Sequence, residues 1–481
     1  MTSRHSLQLT IMKIQNFSLF ALLAVMLGVM SSCSKKAELL DTIPANVTTV
    51  TTLNLRSLCE ASGIKLTEEG IKASPEIEKN IAPTIPDVIN NLAEMDAKGV
   101  ADFSTIALVL DKNNTAFMTF AISDFERFKI VMEDAITWNA DNDGFHTGYA
   151  GNYPLVANDS QIWILSRLNK TATQCVKDVL NAAKEMPISK LDGIAQALNR
   201  DNLANTAMIN WLEQSDKKPE NQSIQEKLWN VAAINTTPDG KSIVLNWERM
   251  TSDGKIEKSK GMRNINPAVL AYVPEGFNLT FGAGLTPDFD WTPFETIARL
   301  IGGFQAEAFM NVITPYLESI DGTLLIAARP VTPNVIDSGD PSDWDFILLV
   351  HMPQRKINQL TATVSSMMAT AGITPKAVGE GLIAVPQYGK EITIGNVDGY
   401  LGISTIGFDN TRNNSLAPMF VNKEMSLNII ADPLSDYING APEGVAMELA
   451  IEMSGGKGQA KFALPGSNGP ILTYLLSIML D

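Results

Sequence analysis

Ala116-Phe117-Met118-Thr119-Phe120-Ala121-Ile122, followed by Ser123-Asp124-Phe125-Glu126, is the stretch on which the fold turns. The apolar, β-favouring run reads as a strand. Ser123 and Glu126 have capping-box spacing, and Phe125, Phe128, Val131, Met132, Ala135 and Ile136 recur at helical intervals, so a helix follows. Asp345-Phe346-Ile347-Leu348-Leu349-Val350-His351 restates the strand 229 positions later. Pro353 then suits a first helical turn, and Ile357, Leu360, Val364, Met367 and Met368 supply the apolar stripe. A strand and a helix carried by one offset are the mark of a repeated unit.

Neighbouring segments extend the repeat. Ile43-Pro44 with the alternating Val47 to Leu55 matches Val273-Pro274 with Phe277 to Gly282 at an offset of 230. Ile106 to Leu110 matches Thr323 to Ala327 at 217, and the missing 12 residues fall in the connection to the next strand, where loops absorb length changes. Gln161 to Leu165 parallels Gly399 to Ile403. The hairpin Trp229 to Ile234 with Ile243 to Trp247 parallels Gly444 to Glu452 with Gln459 to Leu464. The expectation is an α+β fold: two similar units from an internal duplication, residues 41–262 and 263–481, with mostly antiparallel sheets covered by helices. Helices are expected at 86–96, 294–301 and 306–317, a linker at 254–266, and a final apolar helix at 469–480 packed on the second unit.

With 481 residues, 45% hydrophobic, the chain has the material for a large core and is not a disordered polymer. A formal charge of −16 argues against a nucleic-acid partner. Three cysteines make neither a disulfide scaffold nor a four-cysteine zinc site.

The first segment carries the address. Arg4 and Lys13 are its fixed charges, and Phe17 to Met30 is an apolar run too short for a permanent membrane span. Gly28-Val29-Met30-Ser31-Ser32-Cys33 resembles a bacterial lipobox, which implies a signal peptide over 1–33 and lipid attachment at Cys33. Without 1–33 the chain has 35 basic and 53 acidic residues, a charge of −18, so the lipid rather than charge must supply its membrane affinity. Residues 34–40 read as a short tether. Asp41-Thr42-Ile43 resembles the O-glycosylation motif of such bacteria, with Thr42 as acceptor; an extended segment before a proline is the plainer reading. The lipobox, the Leu-Leu-Asp-Thr-Ile-Pro-Ala that follows it, and the Thr/Val-rich strand running into Leu53-Asn54-Leu55 and a helix stopped at Gly63 resemble uncharacterised lipoproteins of gut Bacteroidetes. The resemblance implies an envelope location, and the basic Ser34-Lys35-Lys36 favours the periplasmic side of the outer membrane over the cell surface. It carries no catalytic residue across.

Chemistry-bearing residues are sparse. His146 and His351 are the histidines beyond the signal, and they fall at non-equivalent places in the two halves. His-Glu-x-x-His and Gly-x-Ser-x-Gly do not occur. Ser-x-x-Lys occurs at Ser215, Ser252 and Ser454, each in a turn-like segment rather than at a helix start. Asn139, Asp141 and Asp143 before Gly144 resemble the first half of a calcium loop, although Ala150 stands where the closing acid belongs. Asp102, Asp124, Asp321 and Asp345 lie near repeated strands, with nothing to select a catalytic pair. Cys59 and Cys175 are either a disulfide or two buried thiols. No cofactor is expected. The leading expectation is a non-enzymatic envelope lipoprotein that binds or scaffolds a protein or glycan; a carboxylate-based envelope hydrolase and a carrier of an apolar ligand are the alternatives.

Overall fold

The computed structural model describes residues 36–67, 70–72, 95, 98–111, 115–139, 144–166, 168, 170–209, 227–291, 316–331, 341–387, 389–410, 415–433, 444–467 and 469–480. Cys33 and the signal segment, Asp141, Asp143, Ser215 and most of the helices expected at 86–96, 294–301 and 306–317 lie outside the described residues.

Packing divides the chain at Ile256/Glu257, and the residues after 468 belong with the first unit. Unit 1 is built on β1 (Thr49–Leu53), whose β-branched run suits a pleated surface. It pairs with β2 (Ala101–Leu110) on one side and β8 (Ala204–Ile209) on the other. Beyond β2 come β3 (Ala116–Ile122) and then a meander of β4 (Ile136–Trp138), β5 (His146–Ala150), β6 (Tyr153–Ala157) and β7 (Gln161–Leu165). Beyond β8 come β9 (Leu228–Thr236) and β10 (Ser242–Thr251). Since β7 returns to pair with β3, the order across the sheet is β10-β9-β8-β1-β2-β3-β7-β6-β5-β4.

Unit 2 contains β11 (Leu279–Leu285), β12 (Gly322–Pro330), β13 (Trp344–His351), β14 (Lys376–Gly379), β15 (Leu382–Gln387), β16 (Lys390–Val397), β17 (Tyr400–Ser404), β18 (Met425–Ala431), β19 (Met447–Ser454) and β20 (Lys457–Ala463). Its order is β20-β19-β18-β11-β12-β13-β17-β16-β15-β14. Apart from a separate hairpin in unit 1, Lys65–Thr67 with Gly70–Lys72, each strand βn of unit 1 thus has the same neighbours as βn+10 of unit 2, and all these pairings are antiparallel. The molecule is a mixed helix-and-sheet protein dominated by antiparallel sheet.

The helices differ more than the strands. In unit 1, α1 (Lys36–Asp41) is followed by α2 (Leu55–Ala61), where Asn54 leaves the strand and caps the helix by accepting from the Ser57 N–H at 3.1 Å. In α3 (Phe125–Val131) the cap is Asp124, one residue after the expected Ser123, accepting from the Arg127 N–H at 3.0 Å. Next come α4 (Ala172–Glu185) and α5 (Asp192–Leu198). Leu40, Ile43, Val50, Val176, Ile194, Leu198, Ala207 and Trp229 form one core, joining α1, α4 and α5 to one sheet face. Phe103, Phe120, Phe125 and Phe128 anchor a second core on the α2–α3 side. Unit 2 has the seventeen-residue α6 (Gln354–Thr370), capped by Pro353 without a side-chain bond, and the short α7 (Ala417–Phe420).

Two expectations need correction. The segment 34–40 is not simply a tether: α1 begins at Lys36, and Leu39 and Leu40 are 4% and 0% exposed, because their side chains belong to the first core. The final helix, α8 (Ile471–Leu480), packs on unit 1 rather than unit 2, with the Ile471 N–H bonded to Gly240 O at 2.9 Å and Thr473 Oγ1 donating to Ser62 O at 2.6 Å. Among the described residues no helix is long and apolar enough to cross a membrane.

Candidate functional site

The residues singled out in the sequence do not converge. Asn139 ends β4, donating its N–H to Thr147 O at 2.8 Å as the meander continues. Asp102 accepts from the Ser104 N–H and hydroxyl at 3.0 and 2.7 Å, in the strand irregularity of β2. Asp124 is the helix cap, and Asp321 pairs with Arg263 at 2.8 Å. Asp345 is 8% exposed and held by the Arg329 Nε and Nη2 at 3.1 and 3.0 Å and by Lys390 Nζ at 3.0 Å. This ion cluster ties β12, β13 and β16 together. His146 stacks on Phe125 at 3.7 Å between ring centroids, while His351 Nδ1 bonds to the Asp321 carbonyl and its ring meets Tyr400 edge-on at 5.2 Å. Thr42 Oγ1 donates to Leu39 O at 2.8 Å and accepts from Gln161 Nε2 at 2.9 Å, so this hydroxyl ties α1 to β7. Cys59 and Cys175 are each a buried thiol. Burial, with Glu60 adding to it, pushes the Cys59 thiol up to about 12, which leaves almost no reactive thiolate at neutral pH.

A cleft of about 440 Å³ in unit 1 lies between the start of α5 and the turn after β10, lined by Lys190, Asp192, Thr251, Ser252, Asp253 and Lys255. Asp253 sits below the usual carboxylate range because Thr251 donates to it and the Lys255 N–H adds a second bond. The Ser252 of the Ser-x-x-Lys motif accepts from Trp229 Nε1 at 3.2 Å and is buried, so it is a packing partner of the indole. Two lysines against two carboxylates give the cleft no net charge with which to select a ligand.

A more unusual arrangement sits at the centre of unit 2. On β11 and β18, Thr280 stands directly opposite Asn428, and Gly282 opposite Ser426; alternation puts all four on one face. Thr280, Ser426 and Asn428 are 0%, 0% and 6% exposed, yet Thr280 Oγ1, Ser426 Oγ and Asn428 Nδ2 have no hydrogen-bond partner. Glu424 Oε2, at the start of the same row, is buried and unpartnered too. Phe420, fully buried at the end of α7, lies over Gly282, where an added Cβ would come within 2.8 Å of its ring. Burying a polar group without a partner costs about 1–3 kcal/mol each, so three neighbouring ones are expensive.

Unit 1 handles the corresponding place differently. Thr52 and Asn205 are the pair opposite one another at the position of Gly282 and Ser426. Thr52 Oγ1 donates to Leu198 O at 2.7 Å, and Asn205 Nδ2 donates to Arg200 O at 2.9 Å and Leu198 O at 3.3 Å. The end of α5 therefore supplies the acceptors. Val50 and Ala207, the pair at the position of Thr280 and Asn428, are fully buried and apolar. Unit 1 has unpartnered buried atoms of its own at Thr105 and the Trp138 and Trp163 indoles, but on β2, β4 and β7, away from this position. Sequence reading missed the row because Leu279-Thr280-Phe281-Gly282 and Ser426-Leu427-Asn428 look like strands with a polar, solvent-facing side. The signal that was there is the comparison of the two units: Val50 and Ala207 against Thr280 and Asn428.

No family model matches the chain, and no curated protein matches it. Among solved structures, crystal form III of TP0453 matches at 7% identity and a TM-score of 0.28, covering 45% of this chain and 81% of that one. Crystal form I of TP0453 matches at 7% identity and 0.27, covering 47% and 82%. At such scores the likeness carries no conclusion about fold or function.

Proposed function

We propose that this chain is a lipid-anchored envelope protein, of the kind found in gut Bacteroidetes, that binds or scaffolds a partner rather than transforming a substrate. The observation that carries the reading is the lipobox-like run ending at Cys33, placed only six residues before Leu39, whose side chain is already in the core. Six residues span at most about 20 Å, so an acylated Cys33 holds unit 1 against the membrane surface. The periplasmic side of the outer membrane is the favoured location, and the partner is an envelope protein or a glycan. We also read the two units as products of an internal duplication: the shared strand order and the offsets of 229 and 230 support common descent.

Incorporation of an alkyne-tagged fatty acid into the wild-type protein, and its loss in Cys33→Ser with release of the protein from the membrane fraction, tests the anchor. Wild type that incorporates no label would sink it. Protease protection in intact cells, removed by permeabilising the outer membrane, tests the side.

A further inference from the structure

We propose that the β11–β18 face of unit 2 is a docking site for a peptide segment of a protein partner, which displaces Phe420 and offers backbone carbonyls to Asn428 Nδ2 and to the Thr280 and Ser426 hydroxyls. The inference rests on the binding role proposed above and names its surface.

Three observations lead to it. The unsatisfied atoms are contiguous, on facing positions of two paired strands, and all three residues are at least nine-tenths buried. Asn428 Nδ2 can only donate and the hydroxyls donate or accept, so the missing groups include acceptors. Unit 1 shows what satisfies a polar pair on this face: backbone carbonyls, at Leu198 and Arg200, from a segment laid over the strands. A peptide backbone is the ligand class that supplies the same group in the same row.

The cover over unit 2 suits exchange. Where unit 1 has α4 and α5, unit 2 has the four-residue α7 packed on the short turn Pro267–Tyr272, with Val421 at 45% exposure on one side and Ser415, whose N–H and hydroxyl donate to Glu275 at 2.8 and 3.1 Å, on the other. Removing Phe420 takes away the nearest atoms over Gly282 and leaves the Ile265 side chain, 3.4 Å from where a Cβ would stand, beside a strand position whose lack of a Cβ lets a second backbone approach closely. Bound peptide would exchange an aromatic contact for hydrogen bonds that the closed state leaves unmade.

The test pans a random-peptide display library against the full-length protein in detergent and measures the enriched peptides on variants. Asn428→Leu should weaken binding by about tenfold, the loss of one buried hydrogen bond to a peptide, without lowering the melting temperature. Thr280→Val should behave alike. Phe420→Ala should tighten binding even as it lowers stability, which keeps the outcome readable if a sheet variant folds poorly. Hydrogen exchange on peptide addition should slow across 425–431 and rise across 415–421. Enriched peptides indifferent to Thr280, Ser426 and Asn428, failure to enrich any peptide, or an Asn428→Leu protein that melts well below wild type would each overturn the proposal. None of these outcomes touches the fatty-acid labelling at Cys33, so the anchor and the docking face fail separately.

Discussion

Units 1 and 2 route ten strands through the same order and then finish the central face in opposite ways. In unit 1 the pair Val50/Ala207 is apolar, and the polar pair beside it, Thr52/Asn205, is bonded to the end of α5. In unit 2 the corresponding pair is Thr280/Asn428; there the end of α7 lays the Phe420 ring over the face, and Thr280 Oγ1, Ser426 Oγ and Asn428 Nδ2 make no hydrogen bond. The topology tolerates both endings, so strand order constrains the backbone while the covering segment decides whether the buried polar groups of a face find hydrogen-bond partners.

The contrast can be attacked residue by residue, with hydrogen exchange read separately over β1–β8 and β11–β18 because the two units need not unfold together. The largest effect is expected from Asn205→Ala, which removes three hydrogen bonds: the two donated to the Leu198 and Arg200 carbonyls and the one accepted from Asn202 Nδ2 at 2.8 Å. It should cost unit 1 roughly 3 kcal/mol, and a loss under about 1 kcal/mol would mean that the α5 contact is not what secures the face. Transplanting unit 2 chemistry with Val50→Thr should cost unit 1 about 2 kcal/mol, since the hydroxyl enters a fully buried apolar core. The reverse exchange, Thr280→Val, should stabilise unit 2 by about 1 kcal/mol; destabilisation would show that Thr280 has a partner after all. Asp124→Ala should have the smallest effect, about 1 kcal/mol in unit 1, whereas Pro353→Ala should change unit 2 by less because that cap makes no side-chain bond.

Much of the backbone was legible from sequence because its signals are local. Apolar, β-favouring runs located β3 and β13, and the common offset tied each to the helix that follows. The site was not legible for a physical reason. Alternation separates Thr280 and Asn428 from Leu279 and Leu427, but it does not say which face the rest of the chain will cover. The same limit explains α8: an all-apolar Ile471 to Leu480 announces burial without naming the surface, and the sequence neighbour, unit 2, was the wrong choice. Leu39 and Leu40 were misread as tether because two leucines are too few to show a period. Cys59 and Cys175 could not be paired or separated from their spacing, since bridging depends on a distance that sequence does not contain.

The position of α8 bears on the order in which the protein is made. Unit 2 is continuous in sequence, so all of its strands have been synthesised by residue 467, whereas unit 1 lacks residues 469–480 until the whole of unit 2 has been translated. A chain emerging from its amino end therefore builds the first sheet early and seals it last, with Gly240 and Ser62 holding their places for Ile471 and Thr473. A premature stop just before Pro470 would leave a complete second unit and an unsealed first one, so the defect would appear more than two hundred residues upstream of the missing helix.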